Sequence, residues 1–293
     1  MADINLITIS PSQLSGPGEA GMYDVSRFAR KYLAQGDSWF SIGHIPPWCT
    51  TNLLEQMVLG RSSVAVNCAK PGAELAKMTD TSTERVFLNL LNGNVAWTWD
   101  AILVSGGGND LVAAASSPPQ GGPELRLLLR ADEWQGATAG PARYLSPAGW
   151  STFAHHMEDV LTIFLAQRDK KKVNRGTPLV LHTYDYVTAR NAPAGPKLGP
   201  WLFAAFNNLY RIAPEDWPAL ADRLIDQLAE MWIALAVKYA DRNMHVVDSR
   251  HTITRAAAGS SGVSGDWENE IHPTPNGYAL LGTKWRATLD ALP

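Results

Sequence analysis

The chain has 293 residues, 45% of them hydrophobic, with 25 Lys and Arg against 28 Asp and Glu for a formal net charge of −3. That length and apolar share can close one large core, and one elaborated domain over 1–293 is the simplest reading. Nearly balanced charge leaves no basic footprint for nucleic acid or an anionic membrane surface, and no stretch nears the ~20 apolar residues that span a bilayer.

The first residues, MADINLITISPSQLSG, carry no basic region ahead of an apolar one and no long apolar run, so they do not read as a signal peptide. Cys49 and Cys68 are the two cysteines. Nothing in the sequence places them together, so they read as free structural thiols, and a cytoplasmic location is expected.

Strand-like and helix-like segments then alternate. A helical signal at 22–29 leads into the short apolar segment Tyr32-Leu33-Ala34, the first expected strand. A helix is expected at 51–59, where Leu53, Leu54, Met57 and Val58 share one face. The β-branched run 63–67 is the second strand, followed by a Pro-Gly loop and a helix around 83–91. The third strand is the largely apolar run 99–105, which ends at glycines and suits a strand covered on both faces. A fourth is expected at 178–184 and a fifth at 245–248, with a long helical pattern over 217–239 between them and a last helix near 277–292. This alternation predicts right-handed crossovers and an α/β/α sandwich around a mostly parallel sheet.

In such a sheet, chemistry gathers on loops at the carboxyl ends of the strands. After the first expected strand comes Gly36-Asp37-Ser38; after the second, Lys70-Pro71-Gly72; after the third, Gly106-Gly107-Gly108-Asn109-Asp110. Past the fifth, a long loop ends in Asp266-Trp267-Glu268-Asn269-Glu270-Ile271-His272-Pro273. A serine, a backbone-exposing glycine, a glycine-presented asparagine and a histidine would meet at one edge. Those are the parts of an acyl-transfer site: nucleophile, oxyanion donors and general base.

These four blocks, in this order and spacing, resemble the SGNH hydrolases, also called GDSL esterases and lipases. The similarity is greatest to bacterial members with Trp after Gly-Asp-Ser, here Trp39, and with the Gly277-Tyr278 pair soon after the histidine. The resemblance implies a flavodoxin-like fold, Ser38 as nucleophile and His272 as general base. It also implies an oxyanion hole from the Ser38 and Gly72 N–H groups and the Asn109 side chain, with no cofactor and no metal. One position departs: three residues before His272, where the family usually has aspartate, stands Asn269. Relatives that place the acid two residues before the histidine make Glu270 the first choice of acid. Asp266 is the second, and a dyad oriented by Asn269 or a backbone carbonyl is the third reading.

Other features read more simply. Asp37 suits a helix cap. His155 and His156 are adjacent, about 100° apart on a helix, and so lack the spacing of a zinc-binding pair. His44, His182, His245 and His251 read as core, surface or supporting groups, with 182–186 at the active edge. The segments 111–175 and 191–214, glycine-hinged and aromatic, are expected as pocket walls or a lid. The expected activity is hydrolysis of carboxylic esters with lipid or small acyl groups. Deacetylation of a carbohydrate, acyl transfer by the same site, and a catalytically silent binding fold are the alternatives.

Overall fold

The computed structural model describes residues 3–14, 23–41 and 51–293. Its strands are β1 (Ile4–Asn5), β2 (Ile7–Ile9), β3 (Arg30–Gly36), β4 (Val58–Leu59), β5 (Ser63–Asn67), β6 (Ala101–Ser105), β7 (Leu179–His182) and β8 (Met244–Val247). The α-helices are α1 (Ser38–Ser41), α2 (Arg85–Asn92), α3 (Gly108–Ala115), α4 (Pro147–Asp169), α5 (Trp217–Lys238) and α6 (Pro275–Ala291). Six strands form one sheet in the order β2-β5-β3-β6-β7-β8, every pair parallel, while β1 and β4 pair antiparallel beside it.

The middles of the central strands are apolar because both faces are covered there. Leu33, Val64, Ala65, Val66, Ile102, Leu103 and Val180 are sealed from solvent, as a parallel sheet between helices requires. From β3 the chain crosses to β5, returns past β3 to β6, and continues to β7 and β8. Right-handed crossovers then put α1 on one face and α2, α4 and α5 on the other. Two ring contacts agree with that division: Trp285 of α6 meets Phe40 of α1 at 5.6 Å, and Phe87 of α2 meets Phe164 of α4 at 5.7 Å. The direction of winding reverses between β3 and β6, so a crevice opens at the carboxyl ends of those two strands.

Several expected elements differ. Met22 of the expected helix 22–29 lies outside the described residues, and the rest contains only a 3₁₀ turn, Val25–Arg27. The expected helix 51–59 is a 3₁₀ turn, Leu54–Gln56, followed by β4. There Leu53, Leu54 and Met57 are all fully buried, and the chain is drawn out to pair with β1, so tertiary pairing overrides a short helical pattern. The edge strand β2 has no counterpart among the expected elements, and α4 gives bounds to the helical placement expected for His155 and His156.

Helix α4 does carry readable signals. Ser146 caps it by accepting the Gly149 N–H, Pro147 opens it, and Phe153, Met157, Val160, Leu161, Phe164 and Leu165 recur with helical period and are buried. Within the segment 111–175, α4 buries one face and packs against α2. Of the two cysteines, Cys68 is a buried free thiol; Cys49, like His44, lies outside the described residues.

Candidate active site

The crevice between β3 and β6 is where the four sequence blocks meet. Strand β3 ends at Gly36, and Asp37 caps the short helix α1 by accepting the Trp39 N–H at 3.0 Å. This turn lifts Ser38 out of the sheet. Its Oγ lies 2.9 Å from Nε2 of His272, which arrives on the long loop after β8. Trp39 ties the two loops together by donating its indole N–H to the Ile271 carbonyl at 3.0 Å.

His272 is nearly fully buried, and its Nδ1 is 3.0 Å from the Asn269 side-chain oxygen. That oxygen also accepts the backbone N–H groups of Ile271 and His272. Three donors converging on one atom identify it as the carbonyl oxygen, since an amide NH₂ there would face two N–H groups. The imidazole therefore carries its proton on Nδ1 and turns the Nε2 lone pair toward Ser38. Burial pushes the His272 imidazole down to about 4, so it is neutral at neutral pH.

The two carboxylates weighed as orienters lie elsewhere. Glu270 is completely buried and accepts the backbone N–H groups of Arg190, Trp201 and Phe203. Asp266 accepts the Thr254 N–H at 2.8 Å and the Asn276 amide at 2.7 Å, fastening the loop to the start of α6. Their backbone donors claim them, so Asn269 is the side chain on His272, and the expectation that favoured Glu270 and then Asp266 is corrected.

Gly72 and Asn109 come from the neighbouring loops. Gly72 has φ of +73°, the left-handed region, and a Cβ there would meet nothing within 4 Å. Backbone conformation, rather than crowding, is what calls for glycine at this position. Asn109 sits in the first turn of α3, and its Nδ2 donates to the Ala73 carbonyl at 3.1 Å, joining this helix to the Gly72 loop. Of the three glycines before Asn109, only Gly107 has positive φ, at +97°. Asp110 accepts the Leu75 N–H and fixes the same loop from below.

Behind Ser38 lies a buried network that the sequence did not reveal. Asp37 accepts from Ser105 Oγ at 2.7 Å and from the Tyr184 hydroxyl, and Ser105 Oγ is 2.9 Å from His182 Nε2. Burial raises Asp37 to about 6 against the pull of these hydrogen bonds, and it pushes His182 down to about 3. Ser105 and His182 are the last residues of β6 and β7, and that strand-end position was the one signal available for them.

In front of Ser38 a pocket open to solvent is lined by Leu111, Val112, Val187, Leu202, Ile225 and Ile271, by the rings of Trp39 and Tyr184, and by Asp37, Ser38, Gly108 and Asn109. The segment 111–175 contributes Leu111 and Val112, and 191–214 contributes Leu202. Trp201 also sets its ring edge against His272, centroids 5.5 Å apart. Among the described residues, no group of three or more His, Cys, Asp and Glu side chains gathers to hold a metal ion, and no helix is long and apolar enough to cross a membrane.

No protein-family model and no curated protein matches this sequence. Solved structures similar to it include esterases and lipases. An extracellular lipase from Streptomyces rimosus is 16% identical, with a TM-score of 0.49, over 90% of this chain and 100% of that one. The aryl esterase of M. smegmatis is 14% identical, with a TM-score of 0.48 and the same coverage. The acetylxylan esterase Axe2 of Geobacillus stearothermophilus is 11% identical, with a TM-score of 0.43, over 89% of this chain and 94% of that one.

Proposed function

We propose that the chain is an SGNH-type serine hydrolase of carboxylic esters in which Ser38 is the nucleophile and His272 the general base. The observation that carries this reading is the relay from the Asn269 side-chain oxygen, through His272 Nδ1 and Nε2, to Ser38 Oγ at the polar end of an apolar pocket. The Nε2 lone pair takes the serine proton as Oγ bonds to the ester carbonyl carbon. Negative charge then gathers on the former carbonyl oxygen, for which the Ser38 and Gly72 N–H groups and the Asn109 amide are the donors. As the tetrahedral species collapses, the C–O bond to the alcohol breaks and His272 returns the proton to the departing oxygen. Water repeats the sequence on the acyl-serine, with His272 again as base, and releases the acid.

Asn269 holds the imidazole tautomer by accepting its Nδ1 proton, but as a neutral amide it gives an imidazolium less support than a carboxylate. The reading therefore has a dyad steered by an amide at its centre. The six aliphatic side chains of the lining, beside Trp39 and Tyr184, suit a hydrocarbon acyl group. A fluorophosphonate probe tests the reading: it should label wild type and spare Ser38→Ala, and wild type should turn over p-nitrophenyl esters. Folded wild-type protein that neither takes the label nor hydrolyses any ester would sink it.

A further inference from the structure

Glu270 stands two residues before the general base, is fully buried, and does not touch the imidazole. Its two oxygens instead gather backbone N–H groups from both ends of one loop. Oε1 accepts from Arg190 at 3.3 Å and from Phe203 at 2.7 Å, and Oε2 accepts from Trp201. Two further ties cross here: Glu270 N–H donates to the Ala192 carbonyl at 2.9 Å, and the Arg190 guanidinium donates to the Asn269 carbonyl at 2.6 Å. The other Arg190 contacts run from Nη1 to Ser260 and Gly262, so main-chain donors rather than an ion pair hold the buried Glu270 carboxyl, which burial raises to about 7.

The stretch held this way borders the site through Trp201 and Leu202. Leu202, between the two clamped N–H groups, lines the pocket; Ile271, next to Glu270, lines it from the other side. Trp201 packs its ring edge on His272. A carboxylate is an acceptor on both oxygens, which suits three converging donors; a glutamine would turn an NH₂ toward at least one of them.

Building on the ester-hydrolase reading, we propose that Glu270 is a positioning residue that clamps the Trp201-Leu202-Phe203 wall against the His272 loop and thereby sets which acyl chain length the pocket accepts. Loosening the clamp changes the shape of the wall without removing any group from the Ser38–His272 relay.

The experiment is a set of p-nitrophenyl esters of rising chain length, with active sites counted by fluorophosphonate titration so that misfolded protein drops out of the rates. Glu270→Gln should keep its labelling, raise KM for the preferred ester by roughly tenfold, hold kcat within about threefold, and flatten the preference among chain lengths. Leu202→Ala should move the optimum toward longer chains, and the double variant should add little to either change, because the two residues act on one wall. Glu270→Gln with unchanged chain-length ratios overturns the proposal, as does a loss confined to kcat, which would assign Glu270 to the imidazole instead. If Glu270→Gln fails to fold, Leu202→Ala decides in its place, and an unshifted optimum overturns the clamp. An unlabelled wild type would be a failure of the hydrolase reading itself, and so is distinguishable from both.

Discussion

Two serine–histidine pairs lie at the carboxyl edge of the sheet, and both have Oγ 2.9 Å from Nε2: Ser38 with His272, and Ser105 with His182. Only the proton arrangement and the surroundings separate them. In the inner pair, Ser105 gives its hydroxyl proton to the Asp37 carboxylate, so His182 must donate from Nε2 and its Nδ1 has no partner. In the outer pair the partner on Nδ1 is Asn269, which reverses the tautomer and aims a lone pair at Ser38. The inner serine and histidine are sealed from solvent, whereas Ser38 lines the pocket. A short Ser–His distance is thus no sign of a nucleophile by itself; the group on the far nitrogen and an open pocket decide it.

The sharpest break in this comparison is to delete each serine in turn. Ser38→Ala or His272→Ala should reduce ester turnover by on the order of 10⁶. Ser105→Ala should leave turnover within about tenfold while lowering the stability seen in a thermal melt, because buried Asp37 and His182 lose their shared partner, at about 1–3 kcal/mol. Equal catalytic losses at the two serines would erase the distinction.

Next in size are the groups that only the outer pair has. Asn109→Ala should lower kcat by roughly 10²–10³ if its amide is an oxyanion donor, with KM little moved. Steady-state kinetics on one good ester measures this.

A third test exchanges the orienter. His272 is held down at about 4 by burial, so activity should rise with pH through about 4 and then level off. Asn269→Asp puts an anion beside Nδ1, favours the imidazolium, and should move that acid limb upward in a plot of kcat/KM against pH. A limb that stays in place would mean that the substituted carboxyl is neutral or turned away.

The smallest effect concerns the inner network. Asp37 is raised to about 6 in the folded chain from 3.8, so the folded state holds its proton more tightly than the unfolded state does. Its contribution to stability is therefore fully present below the unfolded value and is lost as pH rises through about 6. Asp37→Asn does not titrate, so its melting temperature should gain on wild type between about pH 4 and pH 7, by the equivalent of roughly 3 kcal/mol at most. A gap that does not widen would show that Ser105, Tyr184 and the Trp39 N–H fully compensate the buried charge.

Much of the fold was legible because a parallel sheet writes itself in long apolar runs. The strands expected near Tyr32, at 63–67, near 99–105, 178–184 and 245–248 all lie in the central sheet, within a few residues of their predicted ends. The expected helix at 51–59 failed because its pattern is short and its apolar residues are buried from several sides at once. The start of helix α4 is hard to read because the residues before it are rich in Gly, Pro and Ala, although its buried positions keep helical period.

Local patterns along the chain were enough to give the strand–helix alternation, the loops that carry Ser38, Gly72, Asn109 and His272, and hence the edge on which they meet. Those follow from local patterns and from one topological rule. Which neighbour of His272 faces its Nδ1 depends on how distant segments pack around that loop. Asp266, Glu268, Asn269 and Glu270 all lie within six residues of that histidine and could each accept its Nδ1 hydrogen bond, and spacing along an irregular loop does not say where each points. Backbone donors brought from distant segments do: those of Arg190, Trp201 and Phe203 claim Glu270, that of Thr254 claims Asp266, and Asn269 is left facing the imidazole.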